Sequence, residues 1–308
     1  MKKKFLIFAP SYRETDGGGI VLHRLCALLR ELDYEAYLTR SFNGMPVYQN
    51  DFVKPLYILI KRAILRFVSP FNTNSAWDTP IIKAPDTLLG SEWVVIYPEV
   101  TFGNPLRAQN VVRWFLYQPG FHTGMVFYGP NEFHVDFNLF ASGFNYPGCY
   151  KSDYPLNVLS FPFEYYNLDG AIPDDLRMGT AYCLRKGKEK KIQHDLSDSI
   201  LIDGKSHAEV SKIFKRVKRF ISYDAYTAYS SFAVLCGAES VVIPDKGVDR
   251  TQWYPDPADR YGVAYGFEDL EEARLTADRV LPRMKEKERR SLENVQRFVD
   301  EVHEFFRN

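Results

Sequence analysis

Cysteine is scarce in this 308-residue chain: Cys26, Cys149, Cys183 and Cys236 are scattered and form no C-x-x-C pair. That argues against a disulfide framework, and reads as four reduced, small core residues of a cytoplasmic protein. An excess of charge of either sign is also lacking, since 39 Lys and Arg balance 39 Asp and Glu. No global field therefore argues for nucleic acid as a partner. Nor is there a run of roughly 20 apolar residues that could span a membrane. The opening MKKKFLIFAPSY has a positive start, but its apolar run is only about five residues and no small-residue cleavage site follows, so it reads as a first strand rather than a signal peptide. A soluble or peripheral protein is expected. What the chain does have is aromatic residues, 20 Tyr and 23 Phe, and enough length for two medium domains.

The first half alternates strands and helices. Phe5 to Ala9 predicts strand one, Ser11 to Gly19 a loop ending in Gly17, Gly18 and Gly19, and Ile20 to Leu32 a helix with Val21, Leu22, Leu25, Leu28 and Leu29 on one stripe. A dinucleotide fingerprint would need glycine where Leu22 stands, which disfavours that cofactor. Glu35 to Leu38 predicts strand two. Residues 52–70, FVKPLYILIKRAILRFVSP, read as a basic amphipathic helix carrying Lys54, Lys61, Arg62 and Arg66; a peripheral contact with an anionic membrane and simple packing on the core are both open for it. Trp93 to Tyr97 and Val111 to Tyr117 predict buried strands, the first followed by Glu99 and the second by His122. His134 and Asp136 in NEFHVDF are weaker polar candidates. Leu156 to Phe163 is expected to be a strand leaving the first domain, with a linker over Glu164 to Arg177.

A second sheet is predicted from Gly179 onward. Gly179 to Leu184 alternates and ends in the basic run Arg185 to Lys190. Ser199 to Ile202 ends at Asp203 and Gly204, and Ser206 caps a helix over Ala208 to Lys218. Tyr223 to Asp245 then reads as a strand end at Asp224, a helix over Thr227 to Cys236 that stops at Gly237, and the buried strand Val241 to Ile243. A helix that begins at a strand's carboxyl end offers amides and a positive dipole end to an anion. Asp249 to Tyr261 is expected to be a loop, Gly262 to Tyr265 a strand, Glu268 to Leu281 a helix stopped by Pro282, and Ser291 to Phe306 a last helix.

The stretch Tyr223 to Asp245 resembles the donor-binding segment of GT-B glycosyltransferases, of the retaining, bacterial polysaccharide type with two glutamates eight positions apart. The matching positions here are Asp224, still acidic, and Phe232, which is not. The resemblance implies an α/β chain with two Rossmann-like domains facing a cleft: residues 1–165 on the acceptor side, 166–290 binding the nucleotide sugar, and a helix over 291–308 that crosses back. It implies that Asp224 faces the donor sugar and that the turn with Tyr226 and Thr227 faces the diphosphate, while Ser230 or Ser231 takes over the ribose contact. Arg185 and Lys190 would neutralise the diphosphate, Asp203 and Gly204 would lie near the base, and Gly18 and Gly19 would line the cleft. Glu99 and His122 would meet the acceptor or the sugar. No D-x-D pair occurs, so no metal ligand set is expected and no cofactor beyond the nucleotide-sugar substrate. The implied activity is sugar transfer to a growing bacterial surface glycan (capsule or O-antigen) or a lipid-linked acceptor, in the cytoplasm at the inner membrane face. A catalytically inactive GT-B-like subunit that binds a glycan or a partner, and a pyruvyl transferase on a similar scaffold, are the other readings.

Overall fold

The computed structural model describes residues 2–41, 70–83, 90–138 and 143–307. Residues 52–69, and with them the expected membrane contact through Lys54, Lys61, Arg62 and Arg66, lie outside the described residues. Among the described residues no helix is long and apolar enough to cross a membrane. The chain divides into two compact units, residues 1–160 with 288–308, and residues 161–287.

The first unit is a parallel sheet of β1 (Lys4–Ala9), β2 (Ala36–Arg40), β3 (Trp93–Pro98), β4 (Asn110–Phe115), β5 (Phe133–Asp136) and β6 (Tyr150–Lys151), in the order β2-β1-β3-β4-β5-β6. Its central strands are buried on both faces, as continuous apolar runs such as WVVIYP require. Phe5, Ile7 and Ala9 pack toward helix α1 (Gly17–Glu31), whereas Leu6 and Phe8 join Trp93, Val95 and Tyr97 on the other side. The three glycines expected to form a loop are instead the first turn of α1. Asp16, in extended backbone, accepts the Gly19 amide at 3.2 Å, and that cap starts the helix four residues before the apolar stripe begins.

The second unit holds β7 (Thr180–Cys183), β8 (Ser199–Leu201), β9 (Arg219–Ser222), β10 (Glu239–Val242) and β11 (Val263–Tyr265), all parallel, in the order β11-β10-β9-β7-β8. Helices α2 (His207–Phe214), α3 (Tyr229–Leu235), α4 (Arg250–Trp253) and α5 (Leu270–Thr276) connect or flank these strands. Ser206 and Glu209 form a reciprocal capping box on α2.

Three expectations need correction. Leu156 to Phe163 forms no strand; Leu156 and Val158 are buried, but side chains from the last helix hold the segment, Ser291 Oγ accepting the Leu159 amide and Asn294 donating to the Asn157 carbonyl. Asp249 to Tyr261 is not all loop, because Asp249 and Gln252 cap the short α4. Pro282 does not stop a helix: it is the third residue of α6 (Val280–Phe305), where its missing N–H has no intrahelical acceptor to lose. From residue 288 onward α6 belongs to the first unit, where Val295, Phe298, Val299 and Val302 join the core under β1. The α/β class with two Rossmann-like parallel sheets, expected from the sequence, is what the chain has.

Candidate active site

In each sheet the chain goes outward on one side and then returns to the other, leaving a topological switch point where open α/β sheets bind ligands beyond the strands' carboxyl ends. In the first unit that point lies between β1 and β3, and in the second between β7 and β9. Gly18 and Gly19 follow β1, Glu99 follows β3, Arg185 follows β7 and Asp224 follows β9. Five of the candidate residues therefore fall at the two places that the topology singles out.

At the first switch point Glu99 is buried, at 7% exposure, with no ion pair among the described residues. Its carboxylate accepts hydrogen bonds from the backbone amides of Leu116, at 3.0 Å, and Tyr117. Burial pushes its pKa up from 4.5 to about 7, the amides only partly opposing this. Its own carbonyl accepts the Tyr128 hydroxyl at 2.8 Å. Gly18 stands beside the same loop, since a Cβ there would lie 3.6 Å from Leu116 Cδ1. The structure thus brings Gly18, Leu116 and Glu99 together. His122 is not part of that group: it is exposed, and its described contacts are the rings of Phe121 and Tyr117. His134 and Asp136 are buried in structural pairings, with Glu132 at 3.3 Å and Lys151 at 2.9 Å respectively.

At the second switch point the segment from Leu184 to Lys190 is laid across the ends of β9 and β10. Gly187 packs so closely on the Tyr223 carbonyl that no Cβ fits. Lys190 donates to the Ile243 carbonyl at 2.6 Å and pairs with Asp245 at 2.7 Å, so its charge is already compensated within the protein. Arg185 differs. It makes no ion pair among the described residues, and its guanidinium lies 4.3 Å from the centre of the Tyr229 ring. Asp203 is engaged with the backbone: its Oδ2 accepts the amides of Leu184 and Arg185, and Oδ1 is buried without a described partner. Gly204 is in the left-handed region with open space around it.

Asp224 is buried at 7% exposure, and its Oδ1 accepts the Tyr226 amide at 3.1 Å in an Asx-type turn. Its other carboxylate oxygen has no hydrogen-bond partner among the described residues. Thr227 is turned inward on its own chain, its hydroxyl accepting the Tyr229 amide at 3.4 Å. Ser230 Oγ is buried without a described partner, and Ser231 is half-buried. Phe232 stacks on Tyr166, with ring centres 4.3 Å apart and planes 10° apart, inside the core of the unit. A carboxylate at that position would be buried against rings. A pocket of about 300 Å³ lies elsewhere in the unit, against Tyr165, Lys212 and Lys215, and contains none of these groups.

Sequence reasoning missed Tyr229, Asp245, Gly187 and Tyr128. Each acts on a group far along the chain, and only Gly187, a glycine inside a basic run, carried a local signal. No protein-family model matches the chain, and a search of curated proteins returned no match. Among solved structures it is similar to the spinosyn forosaminyltransferase SpnP, with 12% identity over 98% of this chain and 96% of the other and a TM-score of 0.33. It is likewise similar to MurG of Acinetobacter baumannii, with 10% identity over 98% and 99% and a TM-score of 0.35. The glycotransferase of kitacinnamycin superposes at 8% identity over 99% of both chains, with a TM-score of 0.44.

Proposed function

We propose that the chain is a GT-B glycosyltransferase that moves a sugar from a nucleotide-diphosphate donor to a bacterial surface glycan or lipid-linked acceptor. The observation that carries this reading is Arg185, a cation without an ion pair among the described residues, at the carboxyl end of β7 beside the switch point. Breaking a glycosidic bond to a diphosphate leaves charge on the departing oxygens. A fixed cation stabilises that transition state more than the ground state. Lys190 contributes indirectly in this reading, as the strut that holds its loop against the end of β10.

Within the first unit, Glu99 is the group able to exchange a proton near neutral pH, because it is buried beside amides rather than beside a cation. It would take the proton of the acceptor hydroxyl, and Asp224, with one oxygen uncommitted, would face the donor sugar. No described cluster of three His, Cys, Asp or Glu side chains converges as a metal site. The reading is tested by thermal shift against UDP, GDP, CMP and ADP. One nucleotide should stabilise the protein and lose that effect in Arg185→Ala, and Asp224→Ala should lose turnover while nucleotide binding persists. Indifference to all four nucleotides favours the second reading, an inactive GT-B-like subunit. The core position of Phe232 and the internal pairing of Lys190 are the observations on its side.

A further inference from the structure

Arg185 is held from two directions. Its backbone is in the left-handed region, with φ 42°, a conformation that side-chain-bearing residues adopt rarely and keep only where surroundings enforce it. The enforcement is visible: one oxygen of Asp203, across the sheet edge at the end of β8, accepts the amides of both Leu184 and Arg185, at 3.2 and 3.0 Å. The guanidinium is then laid over the face of Tyr229, whose ring is 5% exposed and is itself fixed by edge contacts with Tyr166 and Phe232. An arginine on the surface ordinarily samples many rotamers, and ordering them costs entropy when a ligand binds. Here that cost is met within the fold before any ligand arrives. A carboxylate would hold Arg185 as firmly but would cancel its charge, as Asp245 does for Lys190; an aromatic face orients a guanidinium and leaves the charge in place.

We propose that Asp203 and Tyr229 are the positioning residues of Arg185: Asp203 sets its backbone, Tyr229 its guanidinium, and together they present one uncompensated cation to a diphosphate. This rests on the reading that Arg185 meets the diphosphate, and it replaces the expectation that Asp203 contacts the base.

The test is calorimetric titration with UDP, GDP and inorganic pyrophosphate of the full-length protein and its variants, each first checked for an intact unfolding transition. Arg185→Ala weakens binding by about 10- to 100-fold, the range of a charge-assisted hydrogen bond. Tyr229→Leu weakens it by roughly 3- to 30-fold, the range of a cation–π contact, and Tyr229→Phe, which keeps the ring but loses the hydroxyl that also meets Arg185 and Tyr166, recovers the ring's share of that loss. In the Arg185→Ala background Tyr229→Leu has no further effect, whereas a merely structural role for Tyr229 would add its loss in full. If Tyr229→Leu does not fold, Asp203→Ala carries the same comparison. Full additivity in the double variant overturns the positioning role while leaving the diphosphate reading intact. No change in Arg185→Ala, or no binding of any probe by the wild type, overturns the diphosphate reading and the inference with it.

Discussion

Replacing Glu99 with glutamine is expected to stabilise the first unit above pH 7 and to leave it nearly unchanged at pH 5, relative to wild type. The carboxyl is at 7% exposure, has only amide partners, and its pKa rises from 4.5 to about 7 through burial. Because the folded state holds the proton more tightly than the unfolded chain, it binds more protons between pH 4.5 and 7, and stability falls as pH rises through that window. Each tenfold change in proton affinity is about 1.4 kcal/mol, so the full cost above pH 7 is about 3 kcal/mol. Glutamine is neutral throughout and keeps a carbonyl for the Leu116 amide. Losing one of the accepted amide hydrogen bonds costs about 1 kcal/mol independently of pH. The informative quantity is therefore the change in the variant-minus-wild-type difference, about 3 kcal/mol in favour of glutamine from pH 5 to pH 8. Urea unfolding followed by tryptophan fluorescence, in which Trp77, Trp93 and Trp114 report the first unit and Trp253 the second, measures it. Parallel pH curves for the two proteins would refute both the burial argument and the assignment of Glu99 as the proton acceptor.

Other perturbations test the frame around the site. Gly187→Ala drives a Cβ into the Tyr223 carbonyl and is expected to cost about 3 kcal/mol or more, read as a lower unfolding midpoint and soluble yield; wild-type stability would show that the two strand ends are not locked there. Phe232→Glu, which restores the acidic residue of the resembled pattern, buries a charge against Tyr166 and is expected to destabilise by several kcal/mol at pH 8 and less at pH 5, where the carboxyl can accept a proton. Arg113→Met strips Glu132 of a fully buried bidentate partner at 2.8 to 2.9 Å and should cost about 3–5 kcal/mol by urea unfolding, with Glu132→Gln in the same background recovering part of it.

The alternation of strands and helices was legible because its signals are local. Apolar runs such as those over Phe5 to Ala9 and Trp93 to Tyr97 mark buried parallel strands, and Ser206 with Glu209 marks a helix start within four residues. The errors were of two kinds. Gly17 to Gly19 and Pro282 carry residues that usually interrupt helices, yet sit in first turns, where the missing side chain or N–H matters least. Leu156 to Phe163 has a strand's composition but extends no ladder: the Leu156 amide reaches the Asp136 carbonyl at the end of β5, and Ser291 and Asn294 of α6 take up the backbone groups that follow.

For the candidate site, the sequence by itself determined which residues stand at the strands' carboxyl ends: Glu99, Arg185 and Asp224 follow from strand periodicity and the βα rhythm alone. Only the tertiary structure decided which of them are available. It paired Lys190 with a carbonyl 53 residues away, enclosed Phe232 against Tyr166, spent Asp203 on two backbone amides, and left Glu99 buried without a cation. The reason is physical: periodicity and capping act within a few residues of chain, whereas desolvation and charge compensation depend on which distant segments the sheet order makes neighbours.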